Sequence, residues 1–398
     1  MAMVVFSIYP ADSRVRRVAE TLLKEGMVLD LICLCQDGAA QHEVSDGIDI
    51  LRLPIMHRRS SKFVYAYNYS AFILIAAVVM ALRSLRRRYD LVYVHNMPDV
   101  LVLTSLVPKM LGAKVLLDLH DPMPELMRTI FNLDKGSLGV RIIKRLEKWS
   151  LARAHQVLTV NVACKRIFAS RSCPPDKIGV VMNTPDEEIF PVRTPRSYRS
   201  SEGIPVSHFV VMYHGSAVER NGLDLAIGAF ARVRKSVPTA EFRIFAYRTP
   251  FLDQMMDEAR KSGLEDCVHY FGPRSLEELV PEIENCDLGI VPNHRNAFTE
   301  INTPVRILEY LAMGKPVIAP RTPGVQDYFD PRSILFFESG NEEDLARMIE
   351  YAAFHYSEAV ESAERGQRVY QAHRWSQERR TLLNLLGGLL NGNHLHGS

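Results

Sequence analysis

The sequence predicts an α/β protein of two domains, each holding a mostly parallel sheet covered by helices. Three observations lead there. Short, nearly continuous apolar strands alternate with helices of helical apolar spacing along the whole chain. The alternation breaks once, at the proline-rich stretch Thr184–His208. The length, 398 residues with 47% apolar side chains, exceeds what one small domain needs and suits two cores.

The chain opens with a strand, Met3–Tyr9, and a helix from Ser13 to Lys24 that carries Val15, Val18, Leu22 and Leu23 on one face. Gly26 closes that helix and Leu29–Cys35 is the next strand, which completes a βαβ unit. Strand Leu91–His95, helix Val100–Leu111 ended by Gly112, and strand Lys114–Leu119 repeat the pattern. Helix Leu138–Arg153, with Ile142, Leu146 and Trp149 at helical spacing, leads to strand Gln156–Val160. Thr184–His208 holds Pro185, Pro191, Pro195 and Pro205 among Ser and Arg, the composition of a linker. The alternation restarts with strand Phe209–Tyr213, helix Leu223–Lys235, strand Glu241–Ala246, helix Leu252–Ser262 and strand Val268–Phe271. Helix Leu276–Glu284, strand Leu288–Val291, helix Val305–Met313, strand Pro316–Ala319 and a helix from Glu342 follow. In such folds ligands bind outside the carboxyl ends of the strands, so the cleft between the domains is the expected site.

Composition excludes several classes. The 48 basic and 46 acidic side chains leave a net charge of +2, so no bulk field favours nucleic acid. Six scattered cysteines without a CxxC pair argue against a disulfide scaffold or zinc ribbon and for reduced thiols. Met1–Pro10 lacks the basic start and apolar length of a signal peptide, and a cytoplasmic protein is expected. There is no GxGxxG after a strand and no Walker motif, which disfavours nicotinamide enzymes and P-loop ATPases. No two aspartates stand two apart, so the pair that holds a divalent ion against a diphosphate is missing and no metal is expected.

The most hydrophobic run, Ser70–Leu82, has about half to two-thirds of the length that a bilayer span needs. Arg58, Arg59 and Lys62 precede it and Arg83, Arg86, Arg87 and Arg88 follow, with Phe63, Tyr65, Tyr67, Tyr69 and Phe72 leading in. Two readings stand side by side: a helix lying in the interface of an anionic membrane, or a buried helix with an arginine-rich solvated end.

The segment Asn302–Ala319 is the most informative for chemistry. Asn302 or Thr303 is suited to cap a helix, Pro304 to its first position and Gly314 to the position past its end. A helix N-terminus at the mouth of a sheet offers unpaired N–H groups and a positive dipole end, a site for a diphosphate. Glu309, on the second turn, is placed to accept both hydroxyls of a ribose; as spacing alone it also reads as a surface acid. His120, after strand KVLLDL, sits on another loop at a strand's carboxyl end, followed by Asp121. Asp12, Ser13 and Arg14 occupy a third such loop and are expected to meet the acceptor or close on the diphosphate, whereas Arg16 and Arg17 read as solvent-facing.

Pro304, Arg306, Ile307, Leu308, Glu309, Tyr310, Gly314, Lys315, Pro316 and Val317 together resemble the donor-binding signature of family 4 glycosyltransferases, retaining enzymes of the GT-B fold. The resemblance extends along the chain. Gly215 in MYHGSAVERNG, Phe271, Gly272 and Pro273 after VHYF, Asn183 to Asp186 in VMNTPD, and His120 and Asp121 in LLDLHDP follow in the family's order. It implies two Rossmann-like domains facing each other: an acceptor-binding domain 1–190, a nucleotide-sugar domain 191–374, and a tail 375–398 returning to the first. It also implies a role for His120 at the transferred sugar, and a base-contacting turn at Phe271–Pro273.

Departures from the pattern stand out. The family's first glutamate, eight positions before Glu309, corresponds to Ile301, with Glu300 one residue off register. Either Glu300 does that work, or backbone amides around Thr303, Pro304 and Val305 contact the sugar. The diphosphate's usual Arg and Lys correspond to Ser216 and Asn221, which leaves Arg220 and Arg248 as candidate cations. The expected activity is retaining transfer from a nucleotide sugar, UDP favoured over GDP, to a lipid-linked or saccharide acceptor in surface polysaccharide synthesis. Charge developing on the β-phosphate would be met by the helix at Pro304 and by Arg220. The rivals are a UDP-sugar epimerase or hydrolase on the same fold and a non-catalytic nucleotide-sugar-binding scaffold.

Overall fold

A computed structural model describes residues 1–36, 38–55, 62–196 and 208–390. The chain forms two compact units. One comprises Met1–Asn183 with Glu378–Ser398, the other Thr184–Gln377, so the boundary falls inside the Asn183–Asp186 segment.

In the first unit the order is β1 (Ala2–Val5), α1 (Ser13–Lys24), β2 (Leu29–Leu34), β3 (His42–Ser45), β4 (Ile48–Leu53), α2 (Lys62–Arg86) and β5 (Leu91–His95). After a 3-10 turn, Asp99–Ser105, come α3 (Leu106–Met110), β6 (Lys114–Leu119), α4 (Met123–Phe131), α5 (Leu138–Arg153), β7 (Gln156–Thr159), α6 (Val162–Arg171) and β8 (Ile178–Val180). Eight strands lie in the order β3-β4-β2-β1-β5-β6-β7-β8, parallel except for β3 against β4. The strand order reverses between β1 and β5, which opens the topological switch point at the carboxyl ends of those strands.

The second unit runs β9 (Phe209–His214), α7 (Leu223–Ser236), β10 (Ala240–Phe245), α8 (Pro250–Lys261), β11 (Val268–Tyr270), α9 (Leu276–Glu284) and β12 (Leu288–Ile290). It continues with α10 (Val305–Ala312), β13 (Val317–Pro320), α11 (Pro323–Gln326), β14 (Leu335–Phe337), α12 (Glu342–Phe354) and α13 (Tyr356–Ala372). The six-stranded parallel sheet has the order β11-β10-β9-β12-β13-β14, with its switch point between β9 and β12. Phe209, Val211, Phe230, Phe242, Ile244, Leu345 and Ile349 are central to its core. A last helix, α14 (Trp375–Leu390), enters the first unit at Glu378.

Several expectations change in detail. The helix expected over Val100–Leu111 is a 3-10 turn followed by a single α-turn. Pro108 explains the break: it lacks an N–H and its ring would strike the carbonyl four residues back, at Thr104. The hairpin β3–β4 was not anticipated, although Asp46 and Gly47 both turn with positive φ, as a tight hairpin turn requires. The stretch read as a linker lies, as far as Arg196, on the second unit: Arg193 N–H donates to the Ala312 carbonyl at 2.8 Å. Pro205 is outside the described residues.

The apolar run around residue 75 belongs to a helix twice its length. Within α2, Tyr67–Arg86 is long and apolar enough, by length and composition, to cross a membrane. One face nevertheless packs into the first unit through Phe72, Ala76 and Met80, with the Phe6 ring edge-on to Tyr69 and Phe72. Arg83 and Arg87 pair with Asp30 on β2 and Asp49 on β4. The opposite face leaves Tyr67, Leu74, Val78, Leu82 and Leu85 exposed at helical spacing. The buried reading therefore holds for one face, while the other is apolar and exposed. Arg58, Arg59 and the side chains of Lys62, Phe63 and Tyr65 lie outside the described residues.

Candidate functional site

In the second unit, the switch point gathers most of the residues singled out for donor binding. Gly215 follows β9 with φ 118°, a conformation that suits glycine, and a Cβ there would approach Arg306 Cδ to 3.2 Å. Arg306, in the first turn of α10, donates to the His214 carbonyl at 2.8 Å and to Asn293 Oδ1 at 3.1 Å. Its guanidinium lies 4.9 Å from the centroid of the Tyr213 ring. It thus ties the ends of β9 and β12 to the helix. The fit is completed by Gly289 on β12, where a Cβ would strike the Tyr310 ring at 2.4 Å, and by Tyr310 Oη donating to the Met212 carbonyl at 2.9 Å.

Neither Asn302 nor Thr303 caps α10. Pro304 is the cap residue and has no polar side chain to bond the first turn, and Thr303 Oγ1 donates to the Gly324 carbonyl at 2.6 Å. The first turn begins at Val305 with N–H groups that have no partner within the helix, although Ile307 N–H is taken by the Pro304 carbonyl at 3.1 Å. One turn on, Glu309 is buried with Oε2 3.4 Å from His214 Nε2. Burial and the Arg306 charge push His214 down to about 3, so its ring is neutral and the contact is no ion pair.

The remaining donor candidates are placed as follows. Ser216 is exposed, and its carbonyl accepts from Tyr213 Oη and Asn221 Nδ2. Arg220 is half-buried on the 3-10 turn Glu219–Asn221. Arg248 is a surface side chain, 75% exposed, whose charge Asp253 takes up at 2.8 Å. Glu300 is likewise engaged, by Arg295 at 2.6 Å. Phe271 stacks on Phe245 at 5.2 Å, and Gly272 and Pro273 continue that turn. Sequence reasoning missed Asn293 and the His294–Asp224 pair, 2.8 Å apart after β12, in which each partner stabilises the other's charged form. The signal of Asn293 and His294 was only their place after a strand, and Asp224 lies in the first turn of α7.

The first unit builds a polar centre at its own switch point. Asp118, on β6, is fully buried in a strand that is otherwise apolar after Lys114. Arg14 meets it through Nη2 at 2.8 Å and Nε at 3.2 Å, and Tyr93 Oη donates to it at 3.0 Å. Burial would raise the Asp118 carboxyl, but the Arg14 charge and two histidines hold it well below the ordinary range. Arg14 therefore does not reach toward a ligand as expected: it is enclosed, and its third contact is the Val181 carbonyl at 3.1 Å. Arg17, expected in solvent, is buried too, donating to Asn183 Oδ1 at 2.8 Å. On a helix covering a sheet, the face of Val18 and Leu22 is wide enough to take both arginines inward.

His120 lies beside this centre, its side chain 19% exposed, with Nε2 2.9 Å from His95 Nδ1. Its backbone N–H donates to Asn96 Oδ1 at 2.8 Å, while Asn96 Nδ2 donates to the Asp121 carbonyl and to Asp99. Asp12 caps α1 by accepting from Val15 N–H at 3.2 Å; against the raising effect of burial, His120 and that N–H hold it below its usual value. His95, Asp118 and His120 bring three potential ligand atoms within 4.8 Å of one another. Arg14 already faces the Asp118 carboxylate with two nitrogens.

Two family descriptions match, in chain order. Residues 11–184 match the Glycosyl transferase 4-like domain, and residues 208–353 match Glycosyl transferases group 1. The chain belongs to the glycosyltransferases. A probable glycosyltransferase, WbjE, of Pseudomonas aeruginosa is 25% identical over 62% of this chain. A D-inositol 3-phosphate glycosyltransferase of Corynebacterium aurimucosum is 27% identical over 46% of it. These alignments span 60% and 44% of the two relatives' own lengths. Among solved structures, sucrose-phosphate synthase from Thermosynechococcus elongatus superposes with a TM-score of 0.77 at 16% identity, covering 99% of this glycosyltransferase and 100% of that chain. HepE of Anabaena, in complex with UDP-glucose, gives 0.68 at 13% identity over 97% and 99%. At such identities the likeness shows the fold, which is GT-B.

Proposed function

We propose that this glycosyltransferase moves a sugar, with retention, from a nucleoside-diphosphate sugar to a lipid-linked or saccharide acceptor in surface polysaccharide synthesis. The observation that carries the reading is the N-terminus of α10 at the switch point of the second sheet, where the cap position is a proline without a polar side chain, with the Glu309 carboxylate one turn further in. The helix end and Arg220 would meet the charge that grows on the β-phosphate as the anomeric bond breaks, and Glu309 would take the ribose hydroxyls. UDP is favoured over GDP, and the UDP-glucose bound by HepE supports that choice. His120 and Asp121 are assigned to the transferred sugar, and Asp12 to the acceptor side.

No metal is required in this reading, because a helix end and an arginine supply the positive charge. Turnover after exhaustive dialysis against EDTA should equal that of the untreated enzyme; restoration by Mg²⁺ or Mn²⁺ would refute metal independence. The exposed apolar face of α2, with Arg86 and Arg88 beyond it, supports a cytoplasmic enzyme held peripherally on an anionic membrane. One rival keeps an observation of its own: Arg248 and Glu300 are both engaged by neighbouring charges, as in a nucleotide-binding scaffold. Calorimetry with UDP and GDP, then turnover on a panel of UDP- and GDP-sugars with membrane extract as acceptor, tests the proposal. Sugar released without acceptor favours a hydrolase, and nucleotide binding without any turnover favours the scaffold.

A further inference from the structure

His95 ends β5, is wholly buried, and its register partner on β6 is Asp118, two residues before His120. Its Nδ1 faces Asp118 Oδ2 at 3.5 Å and His120 Nε2 at 2.9 Å. Asp118, paired with Arg14 through two nitrogens, is a carboxylate that only accepts. The proton of His95 therefore belongs on Nδ1. On Nε2 it would form a buried N–H for which the described residues offer no partner. With His95 Nδ1–H as donor, His120 Nε2 must accept, and the proton of His120 sits on Nδ1. We infer that His95 is a positioning residue that fixes the tautomer of His120, so that Nδ1–H is the donor presented to a sugar hydroxyl. The hydroxyl's part in this rests on the proposed function; the tautomer does not.

The test uses the full-length protein with ¹⁵N-labelled histidine rings, observed by NMR at pH 8, with His120 assigned through its loss in His120→Asn. The expected wild-type state is protonated Nδ1 and bare Nε2. In His95→Phe the donor is gone, and His120 should move to the Nε2–H form that a free imidazole prefers, with turnover lowered about tenfold, the worth of one hydrogen bond. His95→Asn, whose amide N–H falls where Nδ1 stood, should keep both the tautomer and most of the turnover. A wild-type His120 protonated at Nε2 overturns the inference, whatever the variants do. So does an unchanged tautomer in a folded His95→Phe. A shifted tautomer with unchanged turnover supports the positioning role and overturns the reading of His120 as a sugar contact.

Discussion

At the scale of single residues, a buried charge organises what surrounds it. Asp118 could be read from the sequence as an acid inside an apolar strand, but its partner could not, because Arg14 stands 104 positions earlier. Glu309 was legible through its motif; its burial beside a neutral His214 was not, since that depends on a strand from elsewhere in the chain. If Glu309 holds the ribose, Glu309→Gln should weaken UDP binding by about 10- to 100-fold, the range for a hydrogen bond to a charged group. Calorimetry showing unchanged affinity would remove that assignment. Asp99 makes a pH statement. It is fully buried, and burial and Glu147 push its carboxyl up to about 7, despite Asn96 and Arg171. Between its ordinary value near 4 and 7 the folded chain holds a proton that the unfolded chain releases, so this group's contribution to stability declines as pH rises through that window. Asp99→Asn should therefore be more stable than the parent at pH 8, by at most about 4 kcal/mol, and lose that advantage near pH 4. Urea unfolding at the two pH values measures the difference, and an equal effect at both would contradict the assignment.

At the scale of elements, apolar periodicity located most helices of both sheets' layers, because each covers a sheet with one stripe. It failed where the stripe was not the determinant. The 3-10 turn after β5 is set by Pro108, and β3 is an edge strand whose exposed polar residues have no apolar signature. In α2 it failed differently: both faces are apolar, so no moment tells the packed face from the open one. Leu74→Glu, Val78→Glu and Leu85→Glu together alter only the open face. They should abolish sedimentation with anionic liposomes at low salt while leaving the thermal unfolding midpoint within a few degrees of the parent. Retained binding would assign the membrane surface elsewhere.

At the scale of the molecule, the two α/β units were legible from the single break in rhythm; the place of the boundary, between Asn183 and Thr184, depends on which sheet the loop residues pack upon. The second unit is one continuous segment and contains every residue assigned to the nucleotide and diphosphate of the donor. Residues 184–377 expressed alone should fold and bind UDP with an affinity within about tenfold of the full chain, as calorimetry would show. A folded fragment that does not bind would mean that the donor site needs residues of the first unit. The first unit is not continuous. Leu385 packs so closely over Gly179 on β8 that a Cβ there would meet it at 2.6 Å, and Glu378 accepts the buried Met182 N–H at 2.8 Å. A ribosome therefore delivers the first sheet long before the helix that seals its β8 edge, and the nascent N-terminal half must wait, with that flank bare, for nearly two hundred further residues to be made.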